Sequence, residues 1–329
     1  MASRGTVEDA VLDPNGRVFD ALVIAGATAT GKSALALAVA ERVDGEIISM
    51  DSRQVYRGLD VGTAKATPAE RARIPHHGLD LIGPEERYSA GRFARDARAW
   101  IRDIRRRGRV PVLVGGTGFF LRALTQPLFQ EPALPEPART RLRRRLGTLN
   151  DAELARWLGA LDSDAAARLA GKGGRQRRER AVEIALLTGR TLAWWHRHAP
   201  AAEPAPELLV FVLERPRREL YPRIDARVER MIEAGLVEEV RALLSDGHSR
   251  DSPALSATGY AEIATALAGE LDLEEAKQRI RAATRRYARR QITWFRHQLP
   301  DDAVRLDARL PRSQLVERIV DAWRKGRPH

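Results

Sequence analysis

Cysteine is absent from this 329-residue chain, so it can build neither a disulfide framework nor a cysteine-ligated zinc site. Long apolar runs are missing as well. No stretch of about eighteen consecutive apolar residues occurs, the length a membrane-spanning helix needs. The N-terminus has no apolar core of the signal-peptide kind, and a soluble cytoplasmic protein without membrane association is the expectation. Lysine is scarce: Lys32, Lys65, Lys172, Lys277 and Lys325 are the whole complement among 56 basic residues. A charge carried almost entirely by arginine can reflect genome composition as readily as a ligand. Its distribution therefore says more than its total.

The 44 acidic residues leave a formal net charge of +12 and a pI near 10.7, a balance that suits a polyanionic partner. Between Ala133 and Pro200, 14 basic residues face 7 acidic ones. A second concentration, Arg279, Arg281, Arg285, Arg286, Arg289 and Arg290, falls on a predicted helix after Leu273. Charge runs are usually solvated faces, but two such zones in one chain favour nucleic acid.

The strongest motif is Gly26-Ala27-Thr28-Ala29-Thr30-Gly31-Lys32-Ser33, which reads G-x-x-x-x-G-K-S. An apolar run, Ala21 to Ala25, precedes it and suits a buried strand. Helix formers from Ala34 to Ala40 follow. Strand, glycine loop and helix start together cradle a phosphate. Backbone amides and the positive helix end face the anion, Lys32 adds a point charge, and the Ser33 hydroxyl can ligate Mg²⁺. Most chains with this motif act on the γ-phosphoryl of a nucleotide, and such enzymes usually carry a metal-binding Asp at a later strand end. That acid is missing here: the strand Arg109 to Val114 runs into Gly115-Gly116-Thr117-Gly118. The nearest suitable acid is Asp51, after the strand Glu46 to Met50. Carboxyl ends of strands line the ligand crevice of an open α/β sheet, so Asp51, Thr117 and Lys32 are expected to face one site.

Periodicity organises the rest. Phe93, Ala97, Trp100, Ile101 and Ile104 predict an amphipathic helix over 89–107, ended by Gly108. Residues 1–19 are expected to form a flexible extension, and 20–126 the first part of an α/β core. Pro127 to Pro137 is proline-rich and not expected to stay helical; it opens a helical insert over 127–205. Leu154, Trp157, Leu158 and Leu161 mark one helix there, and Ala181, Ile184, Ala185 and Leu187 another. Trp194, Trp195, His196 and His198 read as packing aromatics at a helix end. After Pro200 to Pro206, Glu207 to Leu213 returns as a core strand. The remainder of the 206–329 segment is mostly helical.

Further motifs follow in order: Asp51-Ser52-Arg53-Gln54-Val55-Tyr56; Leu59 to Lys65; His76 to Asp80; Tyr88-Ser89-Ala90; Gly115 to Phe120; Gln176-Arg177-Arg178-Glu179-Arg180; Arg223 to Met231; Gly235 to Val240; Thr258-Gly259-Tyr260; and Tyr287 to Phe295. In this order, over roughly residues 20 to 298, the chain resembles the bacterial tRNA dimethylallyltransferases, or isopentenyl-diphosphate:tRNA transferases. The resemblance implies a P-loop NTPase-like core, a parallel sheet flanked by helices, with a helical tRNA-binding insert. It also implies a reaction. Dimethylallyl diphosphate gives its five-carbon group to N6 of adenosine 37 in the tRNA anticodon stem-loop and releases diphosphate, with Mg²⁺ assisting. Asp51 would be the general base, Thr117 would donate to the bridging oxygen of the diphosphate, and Arg227 would clamp it. The matching RNA contacts are Asp51, Ser52, Arg53, Gln54 and Thr117, with Arg139 and the run Gln176, Arg177, Arg178, Glu179, Arg180 in the insert. No obligate protein partner is implied, and a monomer is expected.

Some positions depart from the family pattern. Ala27 and Ala66 stand where proline is usual, Gly174 where Asp is common, and Ser256 and Ala261 where basic residues often flank Gly259-Tyr260. Competing roles also stand open. Asp51 could cap the segment that follows, Thr117 could satisfy a turn, and Arg227 could pair with Glu229 or Glu233. The main alternative activity is a P-loop small-molecule kinase using ATP; a non-catalytic RNA-binding protein is a third reading.

Overall fold

The computed structural model describes residues 19–126, 134–171, 174–198 and 204–325. The chain divides into two compact units, 1–126 with 205–329, and 127–204.

In the first unit the described residues form one sheet of six strands: β1 (Ala21–Gly26), β2 (Gly45–Ser49), β3 (His76–His77), β4 (Val110–Gly115), β5 (Leu208–Glu214) and β6 (Val304–Asp307). Their order is β3-β2-β4-β1-β5-β6, and every pairing is parallel. The central strand β1 is buried along its whole length, which is why its sequence shows no alternation. A parallel sheet covered on both faces requires continuous apolar runs. Leu35, Ala36 and Val39 of helix Lys32–Arg42 and Leu315, Ile319 and Val320 of helix Arg312–Lys325 share one core with Leu22, Ile24 and Phe211. Helix Ala90–Arg106 buries Phe93, Ala97, Ile101 and Ile104, the stripe its sequence spacing predicted. Phe93 stacks on Phe120 with ring centroids 4.3 Å apart. A further apolar core joins Val55, Leu59 and Ile82 to Val228, Val240, Tyr260 and Ile280. It packs helices Arg217–Glu233, Leu236–Ser245, Tyr260–Leu267 and Leu273–His297 together at the carboxyl side of the motif segments.

Two strands escaped the sequence reading. β3 has only two residues, both histidines, and β6 alternates Val-Arg-Leu-Asp beside a helical stretch. They are the sheet's edges, where a short strand needs little apolar signal.

The second unit has its own core of Leu146, Leu154, Leu158, Ala165, Ala181 and Val182. Its helices are Glu136–Thr148, Asp151–Leu161, Ser163–Leu169, Arg175–Thr188 and Leu192–His198. The first of them corrects one expectation. The proline-rich stretch does not stay non-helical to its end, because Pro137 sits within the opening turn of Glu136–Thr148. There the missing N–H costs nothing. Asn150 and Glu153 form a reciprocal capping box that starts the next helix. The expected extension 1–19 falls outside the described residues except for Phe19, which is buried.

Candidate active site

Every motif at the sheet's carboxyl edge reaches the same region. β1 ends at Gly26, and the chain turns through Ala29 (φ 63°) and Gly31 (φ 98°) into helix Lys32–Arg42. This left-handed geometry is the kind that forms an anion-binding nest of successive amides. Ala29 holds it against a cost of about 1–2 kcal/mol for a residue with a Cβ. The loop is braced from several sides. The Thr30 hydroxyl donates to the Ala27 carbonyl at 2.8 Å, and Arg223 Nε donates to the Ala29 carbonyl at 2.9 Å. Buried Gln291 accepts from the Thr28 amide at 2.9 Å and donates through Nε2 to the Gly116 carbonyl at 2.8 Å. One side chain thus ties the Gly26–Ser33 loop to the Gly115-Gly116-Thr117 tip.

A cavity of about 430 Å³ opens there, within the range typical of small-molecule sites. Thr28, Lys32, Ser33, Asp51 and Arg227 line it, together with Ser52, Arg53 and Gln54. Lys32 donates to the Ala27 carbonyl at 3.3 Å. Burial, with Arg227 nearby, pulls its ammonium down to about 8, while Asp51 opposes the shift. Burial also lowers the Arg227 guanidinium, again against the pull of Asp51. Two cations and one carboxylate therefore share this pocket closely enough to feel one another.

Of the competing local roles, that of Asp51 is present, and it coexists with the cavity. Asp51 Oδ1 accepts from the Arg53 amide at 2.8 Å. Among the described residues no hydrogen bond engages Asp51 Oδ2, so one carboxylate oxygen is held and the other is not. Thr117 Oγ1 accepts from the Ser52 amide at 3.2 Å, and its hydroxyl is also in hydrogen-bond contact with Tyr287. Arg227 does not pair with Glu229, because Lys277 and Arg281 occupy that carboxylate. Instead its Nη2 reaches the Thr63 carbonyl at 3.5 Å.

The insert residues belong to the other unit and form a network of their own. Glu183, 3 % exposed, gathers Arg139 at 2.8 Å, Arg143 at 2.8 Å and Arg180 at 2.7 Å. These cations hold its carboxyl below the usual range against the opposing effect of burial. Arg178 pairs with Asp151 at 3.2 Å and Glu179 with Arg175 at 2.7 Å. Gln176 and Arg177 are exposed at the start of helix Arg175–Thr188. In the aromatic group Trp194 stacks on His198 at 4.5 Å, with Arg190 also over its ring, and Trp195 Nε1 donates to the Thr188 hydroxyl at 2.9 Å.

Sequence reasoning missed part of the cavity wall. Ile280, Thr284, Tyr287 and Gln291 line it from helix Leu273–His297. The spacing of 4, 3 and 4 residues was a readable signal, since polar groups interrupting an apolar helical stripe mark a face turned to something polar. Tyr287 is 36 % exposed overall but sinks its hydroxyl end toward Asp51 and Thr117. Burial and the Asp51 charge push that phenol up to about 12, while hydrogen-bond contact with Thr117 opposes the shift. It stays a neutral donor beside the carboxylate. Gly62 and Thr63 complete the wall from the loop after Leu59.

A parallel sheet with a phosphate-cradle loop at its carboxyl edge, and no carboxylate at the tip of β4, defines a P-loop NTPase-like α/β protein. Comparison with known proteins narrows this. The family model "IPP transferase" matches residues 54–298, and "Isopentenyl transferase" matches 19–75. The chain is 49 % identical to a tRNA dimethylallyltransferase of Halorhodospira halophila, over 87 % of this chain and 92 % of the relative. It is 45 % identical to tRNA dimethylallyltransferase 1 of Citrifermentans bemidjiense, over 83 % and 88 %. Among solved structures, the full-length tRNA isopentenylpyrophosphate transferase of Bacillus halodurans aligns with a TM-score of 0.65 at 35 % identity, covering 92 % of this chain and 95 % of that one. A eukaryotic dimethylallyltransferase acting on tRNA aligns at 0.78 and 28 % identity, over 94 % and 80 %. The chain belongs to the IPP transferase family, that of the tRNA dimethylallyltransferases.

Proposed function

We propose that this protein transfers a dimethylallyl group from dimethylallyl diphosphate to N6 of adenosine 37 in tRNA. The observation that carries the reading is the cavity in which Asp51 stands with Lys32 and Arg227. Adenine N6 is a poor nucleophile because its lone pair is delocalised into the ring. As N6 bonds to the first carbon of the dimethylallyl group, the carbon–oxygen bond to diphosphate breaks and the N6 proton passes to the free oxygen of Asp51. A carboxylate within hydrogen-bond reach contributes about 10²–10⁴-fold to such a step. Lys32, Arg227 and the cradle amides hold the departing oxygens where charge develops. Thr117, which accepts from the Ser52 amide, would donate a hydrogen bond to the bridging oxygen.

The donor set also suits Mg²⁺. Among the described residues no cluster of three or more His, Asp or Glu could cage a metal, and Mg²⁺ is usually held by few protein oxygens plus substrate phosphates. The Ser33 hydroxyl would supply the protein oxygen, and the ion would neutralise charge on the leaving group. The target base must leave its stack to reach this cavity. Ser52, Arg53 and Gln54 would meet it there. Arg139, Gln176, Arg177, Arg178, Glu179 and Arg180 of the insert would face the anticodon stem-loop, Arg177 with the least intramolecular engagement. Among the described residues no helix is long and apolar enough to cross a membrane. The kinase alternative finds no support among the relatives.

The test offers unmodified tRNA with labelled dimethylallyl diphosphate or with γ-labelled ATP. Label should pass from the first donor to RNA and not from the second. Asp51→Asn, which keeps the bond to the Arg53 amide, should lower kcat by about 10²–10⁴-fold with RNA affinity nearly unchanged. Transfer from ATP alone would overturn the reading.

A further inference from the structure

Three successive backbone amides converge on one carboxylate outside the cavity. Glu239, in helix Leu236–Ser245, accepts from Asp60 N and Val61 N at 2.8 Å each through Oε2, and from Gly62 N at 3.2 Å through Oε1. The Tyr260 hydroxyl donates to Oε1 as well. Consecutive amides curled in this way make an anion-binding nest, filled here by the chain's own side chain. Gly62 permits the arrangement, because a Cβ there would stand 2.5 Å from the fully buried Tyr260 ring.

The loop held this way carries two orienting groups. Glu239 is not part of the cavity wall, but Gly62, Thr63 and Ala64 are. The Thr63 carbonyl accepts from Arg227 Nη2 at 3.5 Å and from Gln54 Nε2 at 3.2 Å. The Ala64 carbonyl accepts from the same Gln54 nitrogen at 3.3 Å. At the loop's far end the buried Lys65 ammonium donates to the Tyr56 carbonyl at 2.8 Å and to Asp80 at 2.7 Å. Lys65 pins one end of the segment and also reaches Asp60 Oδ1 at 2.5 Å, the end where Glu239 holds the amides, and between them lie the carbonyls that aim Arg227 and Gln54.

We infer that Glu239 is a positioning residue for prenyl transfer, fixing the Asp60–Ala64 loop so that Arg227 meets the diphosphate and Gln54 the base. The inference rests on the proposed function. Glu239→Gln is nearly isosteric but replaces one acceptor oxygen with an amide nitrogen that faces donors. The loop should shift while the helix stays. Positioning errors of about 1 Å can cost 10²-fold in rate, so kcat/KM for dimethylallyl diphosphate should fall about 10- to 100-fold.

The discriminating measurement is a double-mutant cycle. In an Arg227→Ala background, Glu239→Gln should lower donor kcat/KM by less than about threefold, since coupled residues are non-additive. Glu239→Asp keeps the charge but withdraws it, and should show the same pattern at smaller amplitude. It serves if the glutamine variant does not fold. An equal loss with and without Arg227, or full activity in both Glu239 variants, overturns the inference. Wild-type protein in the same assay separates the two claims. If it transfers no prenyl label, the function is wrong; if it does and the cycle is additive, only the role of Glu239 is.

Discussion

Replacing Gln291 by leucine tests whether the two loop tips of the site depend on one clasp. Both ends of its amide are committed, and their assignment is unambiguous: the Thr28 amide can only donate and the Gly116 carbonyl can only accept. Leucine fits the volume but leaves the Thr28 amide buried and unpaired, while the Gly116 carbonyl keeps only the Gly118 amide at 3.1 Å. The orphaned amide costs about 1–3 kcal/mol and the lost bond to Gly116 about 0.5–1.5 kcal/mol, against about 1–2 kcal/mol regained from burying the apolar side chain. A net loss of up to about 3 kcal/mol follows. In a unit of this size that lowers Tm by several degrees, at roughly 2–4 °C per kcal/mol. Hydrogen–deuterium exchange should localise the effect, with faster exchange in the peptide spanning Gly26 to Thr30 and little change in the insert helices. Gln291→Glu sharpens the test. Its carboxylate still accepts from Thr28 but confronts the Gly116 carbonyl, so the variant should be less stable than the leucine variant at neutral pH. A protonated carboxyl both accepts and donates, as the amide does. Burial raises the pKa of such a group, so the glutamate variant should recover stability as pH falls. Unchanged exchange at Gly26–Thr30 together with an unshifted Tm would refute the clasp.

Three further expectations follow from the same geometry. Lys32 titrates near 8 in the folded chain against 10.5 ordinarily, so donor kcat/KM should decline about tenfold per pH unit above that point. Lys32→Arg should abolish this limb, since arginine keeps its charge. The stability linkage has the opposite sign: the buried ammonium costs stability below about 8, and that cost fades as pH rises toward 10.5. A urea-midpoint series against pH shows it as a rise in that window. Gly115→Ala should be strongly destabilising, because its Cβ would stand 2.0 Å from the Met50 carbonyl oxygen; a normal melting curve would mean the strand ends can part. Arg177→Ala should reduce the slope of log affinity for RNA against log salt by about 0.7, one single-strand phosphate contact. An unchanged slope would remove Arg177 from the backbone contacts.

Where sequence reasoning succeeded, a local rule and a global requirement agreed. The Ala21–Gly26 strand, the cradle and the helix behind it are each set by neighbours in the chain, so a window of twenty residues suffices to see them. The helix Ala90–Arg106 follows from one apolar stripe and a serine cap. What stayed hidden was made by distant partners. β6 pairs with β5 across about ninety residues of intervening helix, and nothing within Val304–Asp307 marks it. Gln291 sits in a motif that was legible, yet its task is set by Thr28 and Gly116, which lie 263 and 175 residues away. Glu239 shows the same gap. Its helix is ordinary, and only the fold brings three amides of another segment onto its side chain.

The same separation explains how one cradle can serve two chemistries. In phosphoryl transfer the attacked atom is phosphorus, and a carboxylate beside the cradle organises metal and water around it. When the attacked atom is the carbon attached to the diphosphate, the nucleophile must approach from beyond the phosphates. On the proposed mechanism, a base at the tip of β4, next to the central strand, is not expected to reach that nucleophile. Here that tip carries Gly115, packed against the Met50 carbonyl, and the Thr117 hydroxyl, while the proposed base is Asp51 after β2, one strand further out. Exchanging those positions, with Thr117→Asp and Asp51→Asn together, should therefore not restore the prenyl transfer lost in Asp51→Asn alone. Recovery of activity in the double variant would show that the base can work from either strand and that the spacing of β2 from β1 has no part in the selectivity.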